Sequence, residues 1–425
     1  MSGRVVVTGL GVIAPNANGV GEFELALRKG RSGLSRREEM AEAGLGCQVA
    51  GVPEGADALA RASFDEERLL AMNQVHRLSA LAALEAWLDA GFARPEAGDE
   101  RVDWDTGAVI GTGIGGMDTI ALRVVPLVSS GRARRLGSTS VEQVMASGPS
   151  ARAAGLLGLG NHCTSNSSAC NTGVEAVVLG LERIRAGRAR RMLCGGAEGG
   201  GVFVWAGFDA MRVLCRSMND EPTRASRPLS ASAGGFVPAC GAGVLVLESE
   251  ESARERGARI RAEVAGGAVN CGGQRGGGSM TAPNPEGVRR CIRAALADAG
   301  VAPAEVGAIA GHLTATGADP GEVRAWADAL ERRPGRLPWI TSTKSLIGHG
   351  LGAAGAMESV AAVLMLERGF VHASANCEDV HPEIQPHADS IPHQTVEPDD
   401  LRVLVKAGFG FGDVNGALVF RSWEE

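Results

Sequence analysis

The stretch "GVEAVVLGLERIRAG" (173–187) decides the fold, because "GAMESVAAVLMLERG" (355–369) repeats its pattern in the second half of the chain. In the first copy Val174, Val177, Val178, Leu181 and Ile184 recur at helical spacing. Asn171 or Thr172 can cap its start, and Gly187 marks its end. Two further echoes keep the same order along the chain. "EAWLDAGF" and "DTGAVIGTG" (85–113) return as "RAALADAGV" and "EVGAIAGHLTATG" (293–317), and "GAGVLVLES" (241–249) returns as "NGALVFRS" (415–422). Strands and helices alternate throughout, the pattern of a layered α/β protein. Echoes in one shared order point to a duplicated unit with its divide near residues 250–260, giving halves 1–255 and 256–425.

A pseudo-two-fold axis between such halves puts the paired helices side by side at the centre. Cys170, at the start of the first helix, then comes near "KSLIGHGLGAAG" (344–355), which leads into the second and carries Lys344 and His349. The strand ending at His312 leads into "HLTATGADPGE", where Asp319, Pro320 and Glu322 suit the N-cap, N1 and N3 positions of a helix. The loop between is expected to be an exposed connection at a strand's C-terminal end, where open α/β sheets place their ligands. A cysteine before a helix meets unpaired N–H groups and the positive end of the dipole, which favour thiolate. Cys170 is therefore either a nucleophile with two histidines in reach or a small buried residue at a strand–helix junction.

Composition narrows the function classes. A chain of 425 residues buries a large core, and its net charge of -7 favours neither nucleic acid nor an anionic membrane. Nine cysteines with no CxxC pair fit a reducing cytoplasm better than a disulfide framework or a zinc site. The N-terminal run shows no signal-peptide pattern, and no apolar run is long enough to span a bilayer. "GTGIGG" (111–116) satisfies a dinucleotide-binding spacing but lacks the acidic residue expected about twenty positions on. The cluster "RARR" (132–135) is either a solvated loop or a contact for an acidic carrier protein.

Taken together, these segments resemble the β-ketoacyl-acyl-carrier-protein synthases of the thiolase superfamily, in their Cys-His-His elongating branch. The resemblance runs from "VVVTGLGVIAPNANG" (5–19) to "GFGFGDVNGALVF" (408–420), with "NDEPTRASRPLS" (219–230), "HLTAT" (312–316) and "TSTKSLIGHGLGAAGAMES" (341–359) carrying most of its specificity. It implies a thiolase-like, duplicated five-layer αβαβα fold. It makes Cys170 the acceptor of an acyl chain, and His312 and His349 the groups acting on a malonyl unit held by acyl carrier protein. The product is a 3-oxoacyl chain two carbons longer. Backbone N–H groups of Cys170 and Phe411 would form the oxyanion hole. Lys344 and Glu358 match a family pair that either orients the site or is a structural ion pair. Thr314 and Thr316 match contacts to the phosphopantetheine arm, or are turn residues. Phe411 matches a gate over the acyl pocket, with Phe208 and Ile114 also lining it; each has an ordinary core role as its alternative.

No metal or redox cofactor is implied. The implied partners are acyl carrier protein and a second subunit, identical or related, in the cytoplasm. Departures from the family pattern point to a specialised polyketide, polyene or fatty-acid pathway. Asp413 and Val414 stand for the usual Gly-Thr, "ACGAG" (239–243) for G-E-G-A-G, and Leu313 for a glycine; the stretch after His312 is one residue short. Asp413 can bond backbone N–H groups and bias the gate, contact an unusual substrate, or face solvent. Competing expectations are a housekeeping fatty-acid elongation synthase, a thiolase, and a non-condensing partner resembling a chain-length factor.

Overall fold

The computed structural model describes residues 3–96 and 98–424. In the first half, strands β1 (Val5–Ala14), β2 (Thr106–Gly111), β3 (Cys163–Thr164), β4 (Arg191–Glu198) and β5 (Gly241–Ser249) accompany helices α1 (Gln74–Asp89), α2 (Gly148–Leu157) and α3 (Thr172–Arg185). In the second, β6 (Ala262–Cys271), β7 (Ala308–Ala310), β8 (Trp339–Thr341), β9 (Val403–Gly410) and β10 (Val414–Ser422) accompany α4 (Pro285–Ala299), α5 (Asp319–Ala329) and α6 (Ala354–Arg368). The strand order is β8-β7-β9-β10-β6-β1-β5-β4-β2-β3. Reading outward from the β6–β1 junction, the two halves repeat one strand order. That junction is narrow, Val6 and Val7 pairing with Glu263 and Ala262.

The hydrophobic cores identify the layers. One core joins α1 and α2 to the first half's strands, through residues such as Leu78, Leu81, Ile110 and Leu156. Another joins α4 and α5 to the second half's strands, through Ile292, Trp326, Val405 and Val419. Between them a third core, with Val174, Val177, Leu181, Met357 and Val360, is built from α3 and α6 and receives side chains from both sets of strands. The result is αβαβα, with the two echoed helices as the middle layer. α6 is buried on all sides from Ala354 to Leu366, as a helix enclosed by sheet on both faces must be.

Glycine lets α3 and α6 touch. A Cβ on Gly173 would lie 2.4 Å from the Ala356 amide nitrogen, and one on Gly355 would lie 2.8 Å from Val174 Cγ2. Both glycines stand near the helix starts, so this contact draws the turn before α3 against the turn at 351–353 before α6. No helix among the described residues is long and apolar enough to cross a membrane.

Candidate active site

Cys170 lies in a tight turn, Ala169–Asn171, immediately before α3. Ala169 is forced to φ +49°, a region alanine rarely adopts, which turns the cysteine toward the second half. The turn is tied by Thr172: its hydroxyl donates to Ala169 O at 2.7 Å and receives the Ser168 N–H at 2.9 Å. Asn171 occupies the cap position but makes no capping bond. β9 passes close behind, where a Cβ on Gly410 would come within 2.5 Å of Ser168 O. That closeness brings the Phe411 backbone N–H near enough to Cys170 to favour its thiolate.

Two influences on the Cys170 thiol oppose each other. Burial pushes the Cys170 thiol up to about 12, outweighing the Lys344 charge and the Phe411 N–H, which act in the opposite sense.

The expected exposure of the loop after His312 is corrected: it is mostly buried, with only Gly317 and Ala318 exposed. α5 begins at Asp319, so Asp319 and Glu322 sit one position further into the helix than the cap pattern predicts. Their carboxylates serve the loop instead. Glu322 accepts the His312 N–H at 2.6 Å and the Leu313 N–H at 2.8 Å, while Asp319 accepts from Thr314, Ala315 and Leu229. These bonds hold Leu313 at φ +20° and Ala315 at φ +63°, conformations that glycine would take without strain. Burial and the neighbouring Asp319 push Glu322 up to about 7.

The rings of His312 and His349 lie 5.4 Å apart and nearly perpendicular. Both are buried, and burial, followed by the charge of Lys344, holds both well below the ordinary histidine range, so both are neutral. His349 Nδ1 accepts the Leu351 N–H at 3.2 Å, which assigns its own proton to Nε2 and makes that atom a donor. Lys344 donates to Glu358 Oε1 at the start of the layer behind the rings. Phe411 is 6.2 Å from Phe208, Phe208 is 5.6 Å from Phe236, and Phe236 is 5.0 Å from His349. An aromatic wall thus runs from the glycine-flanked Phe411 to the histidines.

The other predicted residues fall around this centre. The Thr314 and Thr316 hydroxyls are 2.9 Å apart and half-buried. Ile114 is 36% exposed on the turn after β2. Asp413 is fully buried, at φ +62°, so it does not face solvent. Its carboxylate accepts the Asn284 N–H at 2.7 Å and the Gln274 N–H at 2.8 Å, fastening the glycine-rich segment 272–284 to the loop that carries Phe411. The "RARR" arginines are exposed.

Two residues here were not anticipated. Glu198 is buried and accepts from Thr112, Gly113, Ile114 and Gly352, joining the turn after β2 to the turn after His349. Those N–H groups face a carboxylate, which leaves "GTGIGG" no room for a phosphate. Lys406, on β9, is wholly buried with its Nζ 2.8 Å from Glu358 Oε2. Neither has a sequence signal beyond a charged residue inside a strand of apolar neighbours. A surface cleft of about 640 Å³ is remote from this chemistry: Val20, Leu84, Glu85 and Arg261 line it, and Glu85 is engaged by the Val12 and Val20 N–H groups.

Thiolase-like condensing enzymes are the class in which a duplicated scaffold places its nucleophile before one central helix and its acid–base groups beside the other. The chain matches the beta-ketoacyl synthase N-terminal domain over residues 2–253 and the C-terminal domain over residues 261–378. It is 34% identical over 426 residues to 3-oxoacyl-[acyl-carrier-protein] synthase 2 of Vibrio harveyi, covering 99% of both chains. Among solved structures it is similar to the ishigamide ketosynthase/chain length factor, with a TM-score of 0.87, 31% identity and 100% of both chains covered. It is similar too to a type II polyketide synthase acyl-carrier protein in complex with its ketosynthase bound to the hexaketide, with a TM-score of 0.87, 29% identity and 100% of both chains covered. The chain belongs to the beta-ketoacyl synthase family and is a condensing acyltransferase.

Proposed function

We propose that the protein joins an acyl group held on Cys170 to malonyl-acyl carrier protein by decarboxylative Claisen condensation. In the first half-reaction Cys170 Sγ attacks the carbonyl carbon of an acyl thioester. The Phe411 and Cys170 N–H groups stabilise the tetrahedral oxyanion. The carrier thiol leaves with the proton that the cysteine loses, so the exchange is balanced. In the second, malonyl thioester loses carbon dioxide, and the electron pair of the broken C–C bond becomes an enolate. The neutral rings of His312 and His349 donate N–H bonds to its oxygen. The enolate carbon then attacks the Cys170 thioester, giving the 3-oxoacyl carrier product and expelling Cys170 as a thiolate that takes up a proton from solvent. Loss of carbon dioxide drives carbon–carbon bond formation, so this chemistry calls for no metal or redox cofactor.

The observation that carries this is the pair of buried, neutral histidine rings 5.4 Å apart, with Nε2 of His349 left as a donor. Acyl carrier protein is the partner, with the phosphopantetheine arm passing Thr314 and Thr316 and the exposed arginines 132, 134 and 135 available to its acidic surface. A second subunit, identical or related, covers Leu122, Val125, Val128 and Val141, which stand exposed between residues 117 and 145. A specialised polyketide or polyene pathway is favoured by the likeness to polyketide ketosynthases and by the residues unusual for the family at 313 and 413. The test is carbon dioxide release from malonyl-carrier protein, with and without an acyl primer, alongside intact-mass analysis of Cys170. A thiolase needs no malonyl group, and a non-condensing partner releases nothing above background; either result rejects the proposal.

A further inference from the structure

Glu358 is one carboxylate facing two buried ammonium groups. Lys344 engages Oε1, and Lys406 Nζ lies 2.8 Å from Oε2, with all three side chains at most 2% exposed. The Lys406 contact is an ion pair by distance and not an aligned hydrogen bond; its Nζ donates instead to Ala407 O. Strand periodicity explains how a lysine comes to lie here. Leu404, Lys406 and Gly408 point from β9 to the central helix layer, while Val405, Ala407 and Phe409 point to the outer core.

Two buried ammonium groups on one anion are costly to keep charged: burial lowers Lys406 below the ordinary lysine range, and the Glu358 carboxylate acts to hold its proton. Nearby carboxylates do not offset that cost by contact. Glu322 is committed to the His312 and Leu313 amides and the Trp326 ring nitrogen, and Asp319 to three loop amides. The remaining titratable neighbour, His372, is bonded to Thr343 and the Ala373 carbonyl, and burial lowers it to about 4, so it adds no charge.

We propose, resting on the condensation reading above, that Lys406 is a positioning residue for the malonyl half-reaction: a second ammonium on Glu358 that supplies positive potential behind His312 and His349. It acts through the Lys344–Glu358 pair and does not touch substrate. Its charge keeps the two imidazoles neutral, as N–H donors, further into acid, and it favours the negative charge that develops on the enolate oxygen. Lys406 adds to the burial and the Lys344 charge that lower both histidines, whereas Cys170 feels Lys344 directly and Lys406 only through Glu358. The malonyl half-reaction is therefore the more sensitive of the two to its removal.

The test compares wild type, Lys406→Met and Lys406→Arg in two measurements: acyl transfer to Cys170 by intact mass, and carbon dioxide release from malonyl-carrier protein between pH 5 and 9. Lys406→Met should lose decarboxylation by about tenfold, less than the loss of a direct donor, and should slow acylation by clearly less than that. Removing a neighbouring positive charge raises the histidine pKa values, so the acid limb of decarboxylation should move up by about one pH unit. Lys406→Arg keeps the charge and should restore the profile. Equal losses in both half-reactions, or an unmoved acid limb, would overturn the proposal in favour of a packing role. Should Lys406→Met not fold, wild type decides: an acid limb at the ordinary imidazole value of about 6.5 refutes it. No carbon dioxide from wild type defeats the condensation reading itself, whereas release that is indifferent to Lys406 defeats only this inference.

Discussion

Asp413→Gly tests whether the loop carrying Phe411 is held by its attachment to segment 272–284. The Asp413 carboxylate receives two backbone N–H groups, from Asn284 at 2.7 Å and Gln274 at 2.8 Å, and the Gly412 N–H reaches Met280 O at 2.8 Å. A hydrogen bond to a charged group contributes about 1.5–3 kcal/mol, and the solvent-exposed course of the segment favours the low end, so losing both costs about 3 kcal/mol. Glycine takes φ +62° freely and returns up to about 1 kcal/mol of that. The remaining 2 kcal/mol or so corresponds to a roughly thirtyfold rise in the loosened population. Asp413→Asn keeps one acceptor but turns an NH₂ toward the other amide, and should lie between wild type and glycine. The assay is a condensation-rate series over short, medium and unsaturated carrier-bound primers, with malonyl decarboxylation as the control and hydrogen exchange of residues 272–284 as the structural readout. Faster exchange with a changed primer profile and intact decarboxylation is expected. Identical primer profiles in all three proteins would refute the gating argument, whatever the exchange rates.

Further outcomes follow from the same geometry. Cys170→Ala should keep the fold and lose all acyl adduct and condensation by intact mass and product assay; an adduct that persists would point to Cys163, exposed on edge strand β3. His312→Ala and His349→Ala should each still accept an acyl group yet lose decarboxylation by about a hundredfold to a thousandfold, and normal release in both would cancel their assignment. His76 is buried with neither ring nitrogen partnered, and burial lowers it to about 4. Between about 6.5 and 4 the unfolded chain binds the proton that the folded one refuses, so stability falls as pH falls through that window, by up to about 3 kcal/mol. His76→Leu should lose less stability than wild type between pH 7.5 and 4.5 by denaturant titration; parallel losses would show that His76 is not the source.

What the sequence by itself determined is the layout. The repeated pattern at 173–187 and 355–369 is a covalent record of duplication, and helical and strand periods are local, so the two central helices and the strands around them were legible without coordinates. Cys170, His312, His349 and Lys344 could be expected to converge from the repeat and the short segments that hold them, whereas Glu358 and Phe411 entered only through the family resemblance. Tertiary structure alone decided their state. A helix start argues locally for thiolate, but desolvation where the two halves meet acts against it and pushes Cys170 up to about 12. Asp319 and Glu322 look locally like helix caps, yet their carboxylates turn back to hold a loop whose Ala315 has positive φ. Lys406 meets Glu358 across 48 residues of chain, and Asp413 meets Gln274 across 139. Such pairings depend on which faces the sheets present to the central layer, and charge interactions in a buried site are set by three-dimensional distance and desolvation, neither of which is written in the order of residues.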